Sequence, residues 1–411
     1  FQTFAIIILY PRLHATSMRQ HSSIHLLCTK SSTNPSCAQF ISKAKRESPM
    51  GSNSRLLVST TTALTIFVAL CCRANDGVIT SEHAVANLID NIPCEIRKWE
   101  STNTTKDFQR AIDACAAGWK RGAKEGEDHV TAFIPMPFAT LHVFVNVTVG
   151  SIVLPSDFTL FVHKGATMYG SLLRSDYPLI QPLPSYGTAR DNAKNLSFVH
   201  RPLIYIPNRK NVRITGRGVI DGRGGEGGWW AQEKNGTLVF QRPRLVQFVN
   251  STNMYLDGGL TLSNSAFWTV HLVYSRKARF FNVRIISPRD SPNTDGIDVD
   301  STSDVVISHC DIDVGDDAVA IKSGIDEFGR AVNIPSTNVL IQDNRIFGKA
   351  IAIGSEMSGG VYNVTARRNI MGMKSGAVTG FLIKSRVPRG GMVSNITFAD
   401  CHLLNVSRVY S

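Results

Sequence analysis

A short motif that recurs along the second half of the chain constrains the fold more than any other feature. Each copy begins with Asn or Asp and continues with β-branched or other apolar residues, as in NVRI, NMYL, NVLI and NITF. Each is followed by a second strand-like stretch and a turn rich in Gly, Asn, Asp or Ser. Successive copies lie 22 to 42 residues apart, starting at residues 211, 253, 282, 304, 338, 363 and 395. Such a repeat is typical of a solenoid, whose units bury their apolar faces only against neighbouring units.

The repeat predicts an all-β fold, a right-handed parallel β-helix, because its strands are short and no helix separates them. A β-sandwich is the alternative, but it would need longer alternating strands and hairpin turns such as Asn-Gly, which are few here. The 32 glycines also favour a turn-rich β protein. Since a solenoid normally ends in a cap and this chain ends on a strand-like copy, we expect C-terminal coils to be missing.

One helix is predicted, over residues 104–122, as a short cap at the N-terminal end of the solenoid. Thr105 is the expected N-cap and Gly118 the expected end. Four apolar residues at helical spacing would share its buried face: Phe108, Ala111, Ile112 and Cys115.

The start of the chain is expected to lie outside the folded domain. Residues 1–49 are basic, rich in Ser and without periodicity, and we interpret them as a non-native upstream segment. Residues 50–74 have the layout of a secretory signal peptide, with Arg55 before an apolar stretch and Ala74 at a small-residue cleavage site. A single-pass anchor is the alternative, but the apolar stretch is short and rich in Thr. The catalytic β-helix is therefore expected over residues 75–411.

Three further features concern the part of the chain after residue 74. The net charge of +12 falls to about +5 there, because the first 74 residues contain eight Lys or Arg and one Glu. Four cysteines allow three pairings, of which Cys94 with Cys115 is the most local. Eight glycosylation sequons support a secreted protein, at Asn103, Asn146, Asn195, Asn235, Asn250, Asn363, Asn395 and Asn405.

Residues 293–317 contain eight aspartates. Asp295 precedes Asp316 and Asp317 by 21 and 22 residues, close to one coil of a β-helix, and adjacent coils lie about 4.8 Å apart. Carboxyls brought so close raise one another's pKa, so one can stay protonated while another is ionised, as glycoside cleavage requires. For the other five we prefer solvated turns and strand edges, with Asp298 also bracing a turn: Asp298, Asp300, Asp304, Asp311 and Asp313.

Several basic residues occur after the aspartates along the chain. Lys322, Lys384 and Arg389 are candidate ligands for the carboxylates of an anionic sugar polymer. A calcium site in the acidic stretch is an alternative, because oxygen ligands are plentiful, but the stretch lacks EF-hand spacing. We therefore prefer the acid–base interpretation of Asp295, Asp316 and Asp317 to a calcium site.

An ordered set of motifs resembles glycoside hydrolase family 28, the polygalacturonases, and in particular its plant-type branch. The principal motifs are NTDGID (293–298), GDDAVAIKSG (315–324), GSEMSGG (354–360) and IKS…RGG (383–391). The resemblance implies a right-handed β-helix that hydrolyses α-1,4-galacturonosyl bonds with inversion and without a cofactor. It also implies that Asp316 is the general acid, that Asp295 and Asp317 activate water, and that Lys384 binds a substrate carboxylate.

The chain departs from the family pattern at two positions. Lys349 stands where many members have the His of Gly-His-Gly, and Leu382 replaces the Arg of Arg-Ile-Lys. The loss of Arg removes a bidentate carboxylate ligand that Lys384 alone replaces incompletely. His271 is not expected to substitute for the missing His, and we interpret it as structural.

The function favoured by these observations is a secreted polygalacturonase of the cell wall, with exo action favoured over endo. The expected partner is pectin or polygalacturonate, a related polymer such as rhamnogalacturonan being possible. A monomer is expected, with neither a nucleic-acid nor a membrane partner. The alternatives are a catalytically impaired pectin-binding protein and a calcium-dependent pectate lyase.

Overall fold

A computed structural model describes residues 94–102, 104–122, 138–187, 197–372 and 379–410. The fold is a right-handed parallel β-helix, as predicted. The described strands form three long parallel sheets of ten, nine and nine strands, together with one antiparallel pair. The predicted upstream segment and signal peptide lie outside the described residues, as do the sequons at Asn103 and Asn195.

The sheets are called A, B and C in the order in which the chain visits them. Sheet A comprises Glu95–Ile96, Ala139–Val143, Phe158–Val162, Lys210–Gly216, Thr252–Asp257, Arg276–Phe281, Ser303–Ser308, Ser336–Gln342, Val361–Arg367 and Val393–Ala399. Sheet B comprises Val147–Val149, Thr167–Gly170, Val219–Asp221, Thr261–Ser263, Arg284–Ile286, Asp311–Asp313, Arg345–Ile346, Ile370–Gly372 and His402–Leu404. Sheet C comprises Ile152–Val153, Ile204–Pro207, Val246–Val249, Val270–Val273, Ile297–Asp300, Val319–Lys322, Ile351–Ile353, Thr379–Ile383 and Arg408–Tyr410. The antiparallel pair is Leu179–Ile180 with Val199–His200.

The core consists of apolar side chains stacked from coil to coil. In sheet C, Ile297 lies beside Val319 of the next coil, and Val319 lies beside Ile351 of the coil after that. All three are fully buried. Alternate residues of each strand point outward, so the exterior of sheet C can carry polar side chains while its interior stays apolar.

The Asn or Asp at the start of each sheet A copy has a positive φ, such as 57° for Asn338 and 56° for Asn363. These residue types tolerate the left-handed conformation better than most others, which explains why the motif begins with them. The copy predicted at residue 282 is an exception, because it leads into the sheet B strand Arg284–Ile286. The sheet A strand of that coil is Arg276–Phe281, and Lys277 occupies the positive-φ position.

The predicted helix, α1, runs from Thr105 to Gly122 and therefore continues past Gly118. Its N-cap is Thr104 rather than Thr105: the backbone N–H of Thr104 donates to Asp107 Oδ2 at 2.8 Å, as in a capping box. The hydroxyl of Thr105 instead accepts a hydrogen bond from the backbone of Gly150 at 2.7 Å, which ties the helix to the first coils.

The cysteine pairing follows the local prediction. Cys94 and Cys115 form a disulfide, with an S–S distance of 2.07 Å, and join the first sheet A strand to α1. Cys310 and Cys401 are free thiols.

Two short helices in the described part of the chain were not predicted: α2, Trp229–Lys234, and α3, Asp326–Val332. A 3-10 turn covers Arg174–Asp176. Among the helices described, none combines the length and the apolar character needed to span a bilayer.

Candidate active site

The three aspartates singled out in the sequence converge at the start of two neighbouring sheet C strands. Asp295 precedes Ile297–Asp300, and Asp316 and Asp317 precede Val319–Lys322. The backbone N–H of Gly296 donates to the carbonyl oxygen of Asp317 at 2.9 Å, so the two segments lie directly side by side. One carboxylate oxygen from each aspartate lies within 4.8 Å of the others. The one-coil spacing therefore brings these three together as predicted, and they are called the aspartate trio below.

Each member of the aspartate trio forms an ion pair with a different lysine. Lys322 Nζ lies 3.6 Å from Asp295 Oδ2, and Lys349 Nζ lies 2.8 Å from Asp316 Oδ2. Lys384 Nζ forms a short hydrogen bond with Asp317 Oδ2. Three ammonium groups thus face three carboxyl groups, which limits the repulsion that three ionised aspartates would otherwise exert on one another.

Burial sets the protonation of the trio. It raises the pKa of Asp295 to about 7, although Lys322 opposes this shift. Burial also raises the pKa of Asp317, against the charge of Lys384. Because these two pKa values are raised, Asp295 and Asp317 keep a proton at a higher pH than an isolated Asp does. The trio therefore places protonatable carboxyl groups side by side.

Lys322 is a buried side chain that contacts several acidic groups at once. Its side chain is only 4% exposed. Besides Asp295, it lies 3.5 Å from Asp298 and 3.2 Å from Glu356. Its ammonium also sits 4.3 Å above the ring of Trp268. Burial opposes the charge on Lys322, but Glu356 and Asp298 raise its pKa well above the usual value.

Glu356 was not predicted as a site residue, although it belongs to the GSEMSGG motif. Burial would raise its pKa, but the charge of Lys322 overrides this effect and lowers the pKa to about 2. Glu356 is therefore ionised and balances Lys322. No local pattern marks this pairing, because the two residues are 34 positions apart and meet only when one coil stacks on the next.

Two aspartates expected to be solvated are fully buried, so that expectation was wrong for Asp298 and Asp300. Both lie on the outer face of a sheet C strand, where other parts of the chain cover them. Asp300 Oδ2 accepts hydrogen bonds from Tyr186 at 2.7 Å and from His271 Nε2 at 3.0 Å. Burial and the charge of Asp295 raise the pKa of Asp298 well above its usual value.

His271 has the structural role that was predicted. It is fully buried and hydrogen-bonds Gln247 through Nδ1 at 2.8 Å as well as Asp300 through Nε2. Burial lowers its pKa to about 4, so the ring is neutral at physiological pH.

Arg389 is buried and stands apart from the aspartate trio. Its Nη1 donates to Asp326 Oδ1 at 2.6 Å, at the start of α3, and only 2% of the side chain is exposed. It does not belong to the residues that line the cavity beside the trio. This arrangement gives Arg389 a role in holding α3 rather than direct access to a ligand.

A cavity of about 310 Å³ opens beside the trio. Its floor carries Lys322, Lys384 and the trio, and its other walls carry aromatic and basic side chains that sequence reasoning did not single out: Tyr186, Phe198, Tyr205, Arg244, Phe267 and Trp268. Arg244 stacks over the Trp268 ring at 4.8 Å. Aromatic faces beside cations suit a sugar ring that bears a carboxylate.

Residues 180–187 form one wall of this cavity and are called the wall segment. The segment is fastened to the outside of the β-helix. The backbone N–H of Ser185 donates to Tyr274 Oη at 2.8 Å, and the backbone N–H of Ile325 donates to the carbonyl oxygen of Ser185 at 2.9 Å. Tyr186 adds the hydrogen bond to Asp300. The cavity is therefore enclosed on this side.

The trio is also the place where a cation could bind, because oxygen ligands of this kind are those that Ca²⁺ and Mg²⁺ prefer. The three lysines that contact the trio would compete with such an ion, since each already neutralises one carboxylate.

Comparisons with known proteins identify the family. The family model described as "Glycosyl hydrolases family 28" matches residues 185–410, more than half of the chain. A "Probable polygalacturonase" from Vitis vinifera is 42% identical over 60% of this chain and 49% of its own length. An "Endo-polygalacturonase" from Pectobacterium carotovorum subsp. carotovorum is 29% identical over 77% of this chain and 73% of its own length.

The fold has a solved counterpart. The hyperthermoactive exopolygalacturonase from Thermotoga maritima superposes with a TM-score of 0.60 and 26% identity, over 84% of this chain and 78% of that chain. This chain spans only about half the length of the grape relative. The motifs, the fold and these matches agree, and the chain belongs to glycosyl hydrolases family 28, in its plant-type branch.

Proposed function

We propose that the protein is a polygalacturonase-like hydrolase that cleaves α-1,4-galacturonosyl bonds of pectin. The observation that carries this proposal is the aspartate trio, in which one oxygen of each member lies within 4.8 Å of the others and burial raises the pKa of Asp295 to about 7. The basic and aromatic cavity next to it supports an anionic sugar as the substrate. The names of the relatives, which refer to polygalacturonases, point to the same reaction class.

In the proposed mechanism Asp316 donates its proton to the glycosidic oxygen as the bond from that oxygen to C1 breaks. A water molecule held by Asp295 and Asp317 forms the new bond to C1, and its proton passes to one of these two carboxylates. Asp316 is suited to the acid role because its side chain is the most exposed of the three, at 17% against 5% for Asp295 and 3% for Asp317. The products are a sugar with a new reducing end and the shortened leaving chain.

Inversion is part of the proposal and rests on the family resemblance. One carboxylate oxygen from each member of the trio lies within 4.8 Å of the others, closer than the roughly 6.5–9.5 Å between carboxyl groups that is typical of inverting enzymes. Two carboxylates that hold one water can act on the face opposite the acid even at this short spacing. The configuration of the first product at C1 therefore tests whether the enzyme inverts.

Exo action is favoured over endo. The wall segment encloses one side of the cavity, and about 310 Å³ is at the low end of the roughly 300–1,000 Å³ of small-ligand pockets. Such a space suits the end of a chain better than its middle. The hydrogen bond from Tyr186 to Asp300 holds the wall segment against the β-helix, which supports a cavity that stays closed on this side.

One time course on a defined oligogalacturonate tests both the stereochemistry and the mode of action. We expect monomer as the first product by chromatography, and a β-anomeric reducing end in early NMR spectra because inversion reverses the α linkage. An initial α-anomer would overturn inversion, and an early mixture of intermediate lengths would overturn exo action. Unsaturated, calcium-dependent products would instead identify the lyase. Saturable binding without new reducing ends would identify the impaired binding protein.

We further propose that the protein is secreted and glycosylated. The Cys94–Cys115 disulfide supports an oxidising compartment, and the sequons at Asn146, Asn235 and Asn405 have exposed side chains. Expression in plant cells should place the protein in the medium with a mass that falls on endoglycosidase treatment. Retention inside the cell at the mass of the bare polypeptide would contradict the proposal.

A further inference from the structure

Lys349 is tied to Asp316 twice. Its backbone N–H donates to the carbonyl oxygen of Asp316 at 2.8 Å, and its ammonium donates to Asp316 Oδ2 at 2.8 Å. The side chain of Lys349 is 54% exposed, whereas that of Asp316 is 17% exposed. Lys349 lies outside the residues that line the enclosed cavity. The ammonium therefore contacts Asp316 from outside the cavity.

The neighbouring coil lacks the cation that the family motif provides. Lys349 precedes the strand Ile351–Ile353, and its carbonyl oxygen accepts a hydrogen bond from the backbone of Thr379 at 3.2 Å. In the next strand Leu382 lies beside Ala352, at the position of the motif's Arg. Leu382 cannot bind an anion, and Lys384 already contacts Asp317. Lys349 is thus a half-exposed cation with free donor capacity on the coil next to the one that carries Leu382.

The chemistry of an α-1,4 linkage places a carboxylate close to this ammonium. The glycosidic oxygen that Asp316 protonates is attached to C4 of the leaving galacturonate. The adjacent carbon, C5, carries the carboxylate of the same sugar. A group in contact with Asp316 on its open side is therefore next to that carboxylate whenever the acid is in position to act. An ammonium has three donors, and Asp316 occupies one of them.

We propose that Lys349 binds the carboxylate of the leaving galacturonate and so replaces, on a neighbouring coil, the arginine that Leu382 has displaced. This inference rests on the proposed hydrolysis of galacturonosyl bonds and assigns to that site a further specificity-determining residue. Lys349 recognises an ionised sugar on the leaving side, and a methyl-esterified sugar lacks the charge that it binds. The ion pair with Asp316 keeps the ammonium at this position before the substrate arrives.

The test compares Lys349→Gln with the charge-retaining Lys349→Arg on a defined oligogalacturonate and on its fully methyl-esterified form. For the unesterified substrate we expect Lys349→Gln to raise KM by about tenfold or more, the effect of losing one hydrogen bond between charged groups. Lys349→Arg should stay within about threefold of wild type, which is well below that effect. On the methyl ester the KM of Lys349→Gln should match that of wild type.

An equal rise in KM on both substrates would overturn the inference, and so would a lower kcat with unchanged KM on both, the result expected of a lysine that only positions Asp316. Circular dichroism of each variant checks the fold. If wild type hydrolyses neither substrate, the proposed function fails, and calorimetry of the same oligomers with wild type and Lys349→Gln still tests Lys349. Weaker binding of the unesterified oligomer alone supports the assignment, and unchanged affinity for both overturns it.

Discussion

Asp316→Asn is expected to lower kcat by about 10²–10⁴-fold, the usual contribution of a general acid. The amide has nearly the same shape as the carboxyl but cannot deliver the proton to the leaving oxygen. The fold should be little affected, because the ion pair with the half-exposed Lys349 contributes at most about 1 kcal/mol. The measurement is the initial rate of reducing-end formation from oligogalacturonate, together with a thermal unfolding curve.

Asp343→Asn is the matched control. Asp343 also pairs with a cation, Arg368 at 2.7 Å, but it does not line the cavity, so this variant should keep the wild-type rate. The pH profile is a second check. Because burial raises the pKa of Asp295 to about 7 and this carboxyl acts as a base only when ionised, the wild-type rate should rise as pH rises toward about 7. A rate for Asp316→Asn within threefold of wild type would contradict the acid role.

Lys322→Met is expected to lower the free energy of unfolding at pH 7 by about 3–5 kcal/mol, the cost of removing one partner from a buried ion pair. The methionine fills similar space, but Glu356 and Asp295 are left without the cation that lies 3.2 Å from one and 3.6 Å from the other. Urea unfolding at several pH values measures the effect.

The destabilisation by Lys322→Met should depend on pH in a definite direction. In wild type the pKa of Glu356 is lowered to about 2, so its pairing with Lys322 stabilises the fold above the usual carboxyl range and is lost as pH falls toward 2. The penalty of Lys322→Met should therefore shrink in acid, where the orphaned carboxyls are protonated. Lys349→Met, at a half-exposed pair, should cost no more than about 1 kcal/mol. A decrease of less than 1 kcal/mol in the free energy of unfolding of Lys322→Met at pH 7 would show that Lys322 does not stabilise the fold.

Much of the fold could be predicted because its determinants are local and repeat. The Asn or Asp that opens each sheet A copy reflects a backbone conformation that few residues adopt, so the motif marks where each coil turns. The exception at residue 282 arose because Lys277 takes that conformation in the sheet A strand of the same coil, and a lysine does not mark it in the sequence. The convergence of Asp295 with Asp316 and Asp317 was also predictable, since their spacing matches one coil.

The sequence by itself therefore determined the solenoid, the helix and the place where the trio meets, whereas the structure chose the Cys94–Cys115 pairing among three. The tertiary structure alone decided which charges are buried and which of them are paired. Asp298 and Asp300 have the local pattern of solvated residues, yet neighbouring coils and the wall segment cover them. Lys322 meets Glu356, and Lys349 meets Asp316, across 34 and 33 positions. Burial and pairing set the pKa values here, and both arise only when one coil is laid on the next.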